Sequence, residues 1–286
     1  MIPVIEKLRE HSVESCFNLS AFKKCWDIWK ADITERLSGQ VTADGILNLG
    51  DCLSAIFSQT GEAGRGQGEL SAGGYGWEGL INWYLNFVML GSNVVALRNI
   101  GSLPEPLRDA MTVNYGNFQS NTESDITIMV LPKVNNDSEE LVDLNAFTRN
   151  HFNEFELGII QSKTNWKDNA QTPMLWSMIY QATGFSDNTL TIGKNNFSIS
   201  DLNKFSYSFV TVPSNKNALN YSPHNTPVNR VRNLTGGNYW GHPTKNGIAS
   251  SLKEIFTLFR NGFTPDVRQS LDRALTGQSI SYFRLT

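Results

Sequence analysis

Residues 156–170 read ELGIIQSKTNWKDNA, an apolar run that closes on Gln161 and Lys163 before a polar segment begins. Strand side chains alternate between faces, so Gln161 and Lys163 point to the same side. A lysine at the end of a buried strand is costly unless an anionic group partners it. Upstream, residues 125–131 read DITIMVL. This stretch is apolar on both faces, as in a central strand, and Asp125 stands at its mouth. Glu154 and Glu156 precede the first run. Glu156 lies five residues from Gln161 and therefore faces the opposite side of a regular strand, so both glutamates read as structural.

The neighbouring segments supply the rest of an α/β core. Residues 75–90, YGWEGLINWYLNFVML, predict a helix with a broad stripe of Trp77, Leu80, Ile81, Tyr84, Leu85, Val88 and Met89. Glu78 falls in the first turn of that helix, where it suits the helix dipole or serves as an additional acid. Residues 93–98 (NVVALR) and 205–212 (FSYSFVTV) predict strands. Residues 167–182 predict a helix with Leu175, Met178, Ile179 and Ala182 on one stripe and Pro173 confined to its first turn.

Further out, residues 1–60 read as helical. Phe22, Trp26, Trp29 and Ile33 recur at helical spacing as a core stripe, capped by Asn18 or Ser20; a turn follows at 38–45 and a shorter helix at 51–58. Residues 61–76, GEAGRGQGELSAGGYG, lack a Gly-Lys-Ser/Thr phosphate loop. They read as a flexible loop, or as one that closes on a ligand with Arg65 available for a phosphate. Short helices are expected at 105–111 and 141–152, a polar surface loop at 114–124, a turn region at 184–196 and a long polar loop at 214–247. The end of the chain predicts an amphipathic segment at 252–259, a helix at 267–275 and an edge strand at 280–285.

Laid end to end, helix 75–90, strands 93–98, 125–131 and 156–163, helix 167–182 and strand 205–212 resemble the PD-(D/E)XK nuclease superfamily, and within it the type II restriction endonucleases. The resemblance covers residues 75–212. Ser124-Asp125 matches the PD element, Gln161-Ser162-Lys163 matches (D/E)xK, and Glu78 matches the acid that many members carry on the helix before the sheet. Gln161 departs from the pattern by replacing an acid, and Ser124 by replacing proline.

The resemblance implies an α/β restriction-endonuclease-like core, a central mixed sheet flanked by helices, with a helical N-terminal extension. The chain would divide into a helical extension at 1–60, a nuclease core at 61–212 and DNA-contact loop and helices at 213–286. It implies Mg²⁺-dependent, sequence-specific hydrolysis of double-stranded DNA. Asp125, Gln161, Lys163 and Glu78 would be the catalytic residues. Asp125, the Gln161 side chain, the Ser162 carbonyl and Glu78 would provide the oxygen ligands that Mg²⁺ takes. Lys163 would orient the attacking water. Asn and Gln suit adenine edges and Arg and Lys suit guanine. Thr164, Asn165, Lys167, Asn169 and Gln171 form one candidate DNA-binding cluster, and Lys216, Arg230 and Arg232 a second. Cutting both strands calls for two sites, hence a homodimer, with residues 1–60 as a candidate interface. The alternatives are a DNA repair or structure-specific nuclease of the same fold, and a non-catalytic glycan- or nucleic-acid-binding module.

The net charge of −3 announces no global field for nucleic acid, so any basic groove is local. Three cysteines without a CxxC or Cys/His grouping read as free thiols, which with the charged N-terminus points to the cytoplasm. No apolar run approaches a membrane span. The histidines form no HExxH or HxxxH pattern, and no GxSxG elbow occurs, which argues against a zinc site or a serine triad.

Overall fold

The computed structural model describes residues 4–60, 67–115, 118–121, 124–133, 143–164, 190–211, 224–226, 228–229, 239–241, 250–263, 265–277 and 280–285. Four helices come first: α1 (Val4–Phe17), α2 (Ser20–Arg36), α3 (Ala43–Ser58) and α4 (Gln67–Val88). They lead into β1 (Val94–Leu97), α5 (Glu105–Ala110), β2 (Thr112–Tyr115), β3 (Phe118–Asn121) and β4 (Ile126–Val130). Next are α6 (Leu144–Asn150), β5 (Glu156–Lys163), β6 (Leu190–Ile192), β7 (Lys204–Thr211), β8 (Tyr239–Gly241) and β9 (Ser250–Ser251). A 3₁₀ segment (Leu252–Gly262) and α7 (Val267–Gly277) close the main run.

The protein is α/β. A six-stranded mixed sheet has the order β1-β4-β5-β7-β8-β9, and β3-β2-β6 form a second, antiparallel sheet. In the large sheet β1, β4 and β5 pair antiparallel, whereas β5, β7, β8 and β9 run parallel. Both faces of its central strands are buried. Val94, Ala96, Ile126, Ile128, Val130 and Ile160 join the core formed with α1–α4, the 3₁₀ segment and α7. Val95, Leu97, Met129, Leu157 and Ile159 pack on the other side, with Leu107 of α5 and Phe147 of α6. Burial on both sides explains the continuous apolar runs of β4 and β5. No helix among the described residues is long and apolar enough to cross a membrane.

The aromatic stripe of α2 is core, as its spacing predicts: Phe22 and Trp26 stack at 5.4 Å, and Trp29 and Ile33 have no exposure. These rings press on α4. A Cβ at Gly79 would lie 2.6 Å from the Phe22 ring, so glycine is what admits the contact. The same fact corrects the reading of the glycine-rich stretch. Its second half, from Gln67, is helix despite a glycine penalty of about 1 kcal/mol per residue, and at Gly76 the Trp29 ring lies 3.3 Å from where a Cβ would stand; residues 61–66 and the Arg65 reading lie outside the described residues.

Other boundaries also differ from expectation. The N-cap of α2 is Leu19, without a side-chain cap, rather than Asn18 or Ser20. Thr42 caps α3, accepting from the Gly45 N–H at 3.1 Å, so that helix starts well before residue 51. The expected loop at 114–124 contains the β2–β3 pair, and the expected turn region at 184–196 contains β6. These short polar strands are held by tertiary pairing, Val113 opposite Ile192. The C-terminal edge strand is instead a 3₁₀ turn, Ser281–Phe283, whose buried Phe283 stacks on Phe87 at 4.4 Å.

β1 is an edge strand, yet its outer side is closed. The Ala96 N–H donates to Asn86 Oδ1 at 3.1 Å, and the Ala96 carbonyl accepts from Asn86 Nδ2 at 2.9 Å and Ser12 Oγ at 2.7 Å. The Val94 carbonyl accepts from Arg9 Nη2 at 2.9 Å. Side chains of α1 and α4 thus replace the strand that would otherwise pair there. Asn86→Ala would leave the buried Ala96 N–H without its acceptor. The expected loss is roughly 1–3 kcal/mol of stability, read from the urea unfolding midpoint.

Candidate functional site

The register of β4 on β5 brings Ile126 opposite Ile160, which puts Asp125 beside Gln161 at the sheet end where β5 finishes. Asp125 Oδ2 accepts a hydrogen bond from the Ser162 N–H at 2.7 Å. Gln161 is buried, whereas Asp125, Ser162, Lys163 and Thr164 are half-buried. Ile160 belongs to the α4-side core and Leu157 and Ile159 to the other. Alternation therefore sends Gln161 and Lys163 to the side away from α4, and Ser162 toward α4. The Ser162 hydroxyl oxygen is buried there without a hydrogen-bond partner.

Glu78 reaches this end from the opposite face. Because α4 starts at Gln67, Glu78 lies about three turns into the helix, so the first-turn dipole role does not apply. Its partner is Arg98, just beyond β1, whose Nε lies 2.8 Å from Glu78 Oε1. Both side chains are largely buried, at 12% exposure for Glu78 and 15% for Arg98. Burial is the main influence on the Glu78 carboxyl and lifts it from the ordinary 4.5 to about 7. The Arg98 charge opposes that rise, Asp125 adds to it, and Lys163 opposes it. Glu78, Arg98, Asp125 and Lys163 therefore share one electrostatic neighbourhood.

The donor set suits a hard cation. Asp125, Glu78, the Gln161 side-chain oxygen and the Ser162 carbonyl are all oxygen ligands of the kind Mg²⁺ takes, with water completing the shell. The Ser162 hydroxyl, buried and unpartnered, lies on the α4 side of the same strand end. Only two of these ligands are acids, and among the described residues no group of three or more His, Cys, Asp or Glu gathers around a point.

Of the candidate DNA-contact residues, Thr164 follows directly on β5. Asn165, Lys167, Asn169, Gln171, Lys216, Arg230 and Arg232 lie outside the described residues, as does the helix expected at 167–182. Arg98 is the residue that sequence reasoning missed. Its signal was a charged residue closing the apolar strand NVVALR, the same pattern that singled out Lys163. Compared with known proteins, the chain matches no protein-family model and no curated protein.

The Glu78 carboxyl generates a pH dependence of stability. Folded, it keeps its proton up to about pH 7; unfolded, it would release it near 4.5. Between those values the folded state binds more protons, so this residue's contribution to stability falls as pH rises through the window and is level above it. The full change is roughly 3 kcal/mol. Glu78→Gln removes this slope. The unfolding free energy of the wild type minus that of the variant should decline by that order between pH 4.5 and 7.5, and a pH-independent difference would contradict the burial argument.

Proposed function

We propose that the chain is a Mg²⁺-dependent, site-specific deoxyribonuclease of the type II restriction endonuclease kind, with a restriction-endonuclease-like core. One observation carries the reading: Asp125 accepts the Ser162 N–H bond at 2.7 Å, between the residues Gln161 and Lys163 of the neighbouring antiparallel strand. Two further features support it. The order helix α4, strands β1, β4 and β5, then the parallel strand β7, agrees with the order that the resemblance expects, apart from the helix between β5 and β7, which lies outside the described residues. The charges of Asp125 and Lys163 are felt by Glu78 across the sheet end.

Hydrolysis of a phosphodiester needs an attacking water, neutralisation of charge at phosphorus and help for the leaving oxygen. Mg²⁺, when bound, supplies Lewis acidity and lowers the pKa of a coordinated water. Asp125, Glu78, the Gln161 amide oxygen and the Ser162 carbonyl would hold it. Lys163 orients the water and offsets negative charge as the transition state forms. Arg98 keeps Glu78 from rotating away and favours its ionised form. The products are a 5′-phosphate and a 3′-hydroxyl, as in the family. Thr164, with the polar residues that follow it, would face the DNA, and a homodimer would bring one site to each strand.

Incubation of supercoiled plasmid with Mg²⁺ tests the reading, with run-off sequencing of the ends. The wild type should linearise DNA at defined positions and lose activity with EDTA. Lys163→Ala should lower the cleavage rate by about 100-fold or more, in the range set by removing one transition-state donor. Cleavage undiminished in Lys163→Ala would remove that residue from the mechanism, and a wild type that cuts no DNA would remove the class.

A further inference from the structure

At the other end of β5, about 23 Å from Lys163 along the strand, Glu156 is only 2% exposed. Its Oε1 accepts from Asn203 Nδ2 at 3.2 Å and from Asn261 Nδ2, while Oε2 is buried with no hydrogen-bond partner. An ionised carboxylate accepts only, so the two amides necessarily turn their nitrogens toward it. Glu156 lines a cleft of about 390 Å³. Val130, Leu131 and Pro132, at the end of β4, contribute apolar lining, and Lys133, Asn153, Glu154, Asn203 and Asn261 contribute polar lining.

We propose that this cleft binds an organic cation, an aliphatic primary amine whose ammonium group pairs with Glu156 Oε2 and whose alkyl portion lies against the apolar lining that Val130, Leu131 and Pro132 contribute. The orphaned oxygen asks for a donor, and an ammonium supplies three. The volume falls in the range of small-molecule pockets, about 300–1,000 Å³. The apolar lining fits an alkyl chain and is of no use to a bare metal ion, which would want more converging acids than Glu154 and Glu156. Asn203 and Asn261 are exposed residues bonded to Oε1, and on this proposal they turn aside as the ammonium reaches Oε2. This site lies at the sheet end away from Asp125 and does not depend on the nuclease reading.

The probe is 1,5-diaminopentane, titrated into the full-length protein at 150 mM NaCl and followed by ¹⁵N-resolved NMR and calorimetry. The Asn203 and Asn261 side-chain amide signals should shift saturably in the wild type, which tests the proposal without any variant. Asp125→Ala should bind the amine as the wild type does. Glu156→Gln should bind at least ten-fold more weakly, and 1,5-pentanediol, the neutral analogue, should not bind. The proposal is overturned if the two amide signals stay still, if the diol binds equally, or if millimolar CaCl₂ displaces the diamine through Glu156, which would make the cleft a metal site.

Discussion

Closure of the β1 edge is the constraint on which the arrangement depends. A sheet edge that keeps its amide and carbonyl groups unpaired invites another strand. Here Asn86 meets both polar groups of Ala96, Ser12 gives the same carbonyl a second bond, and Arg9 donates to the Val94 carbonyl. Because these partners come from α1 and α4, the helices are fixed to the sheet by directional bonds as well as by apolar packing. Asn86 belongs to a polar seam along α4, with Asn82 and Glu78 preceding it at four-residue steps. Asn82 donates to Ser12 Oγ at 3.1 Å, which ties the seam to α1. From Asn86 to Glu78 the helix advances about 12 Å, whereas Ala96 to Arg98 covers about 7 Å of strand. The long Arg98 side chain spans the difference and ends on Glu78. The interaction that seals the edge thereby also sets where the acid of α4 lies relative to β4 and β5.

The sheet is covered on both faces, so polar chemistry is confined to its ends. At one end stand Asp125, Gln161, Ser162 and Lys163; at the other Glu156, with Asn203 and Asn261 bonded to it. Gly158, between the two, has no side chain because the Phe259 ring of the 3₁₀ segment occupies that space: a Cβ there would lie 2.8 Å from it. This contact seats the segment against β5 and presents Asn261, two residues later, to Glu156.

Legibility in the sequence followed burial. β1, β4 and β5 were readable because strands buried on both faces leave apolar runs, and β7 because aromatic residues and valine alternate with small polar ones in FSYSFVT. The stripe of α2 was readable because one face of a helix meets the core. What stayed hidden was decided by partners distant in the chain. β2, β3 and β6 are short and polar; β3 pairs locally with β2, and β2 is joined to β6 across about 75 residues. The start of α4 was obscured because glycine signals a loop locally, whereas Gly79 is needed for Phe22 to approach. That error moved Glu78 into a first turn it does not occupy and hid its pairing with Arg98. Glu156 read as structural because nothing local shows that one of its oxygens is unpartnered. Within the candidate site, Asp125, Gln161 and Lys163 were readable as polar residues closing apolar strands; Arg98 closes one too, but its meaning depends on α4.

The glutamine at 161 makes physical sense in this setting. The position is 3% exposed and sits beside Asp125, while Glu78 across the sheet end already keeps its proton up to about pH 7. A carboxylate at 161 would bury a second negative charge beside Asp125 and raise Glu78 more. An amide offers a similar oxygen without that repulsion. On the proposed reading the charges balance before any cation arrives only once Glu78 ionises, above about pH 7: Asp125 and Glu78 then face Arg98 and Lys163. An amide at 161 and the Arg98 contact thus act in the same direction, both keeping Glu78 able to ionise near neutral pH.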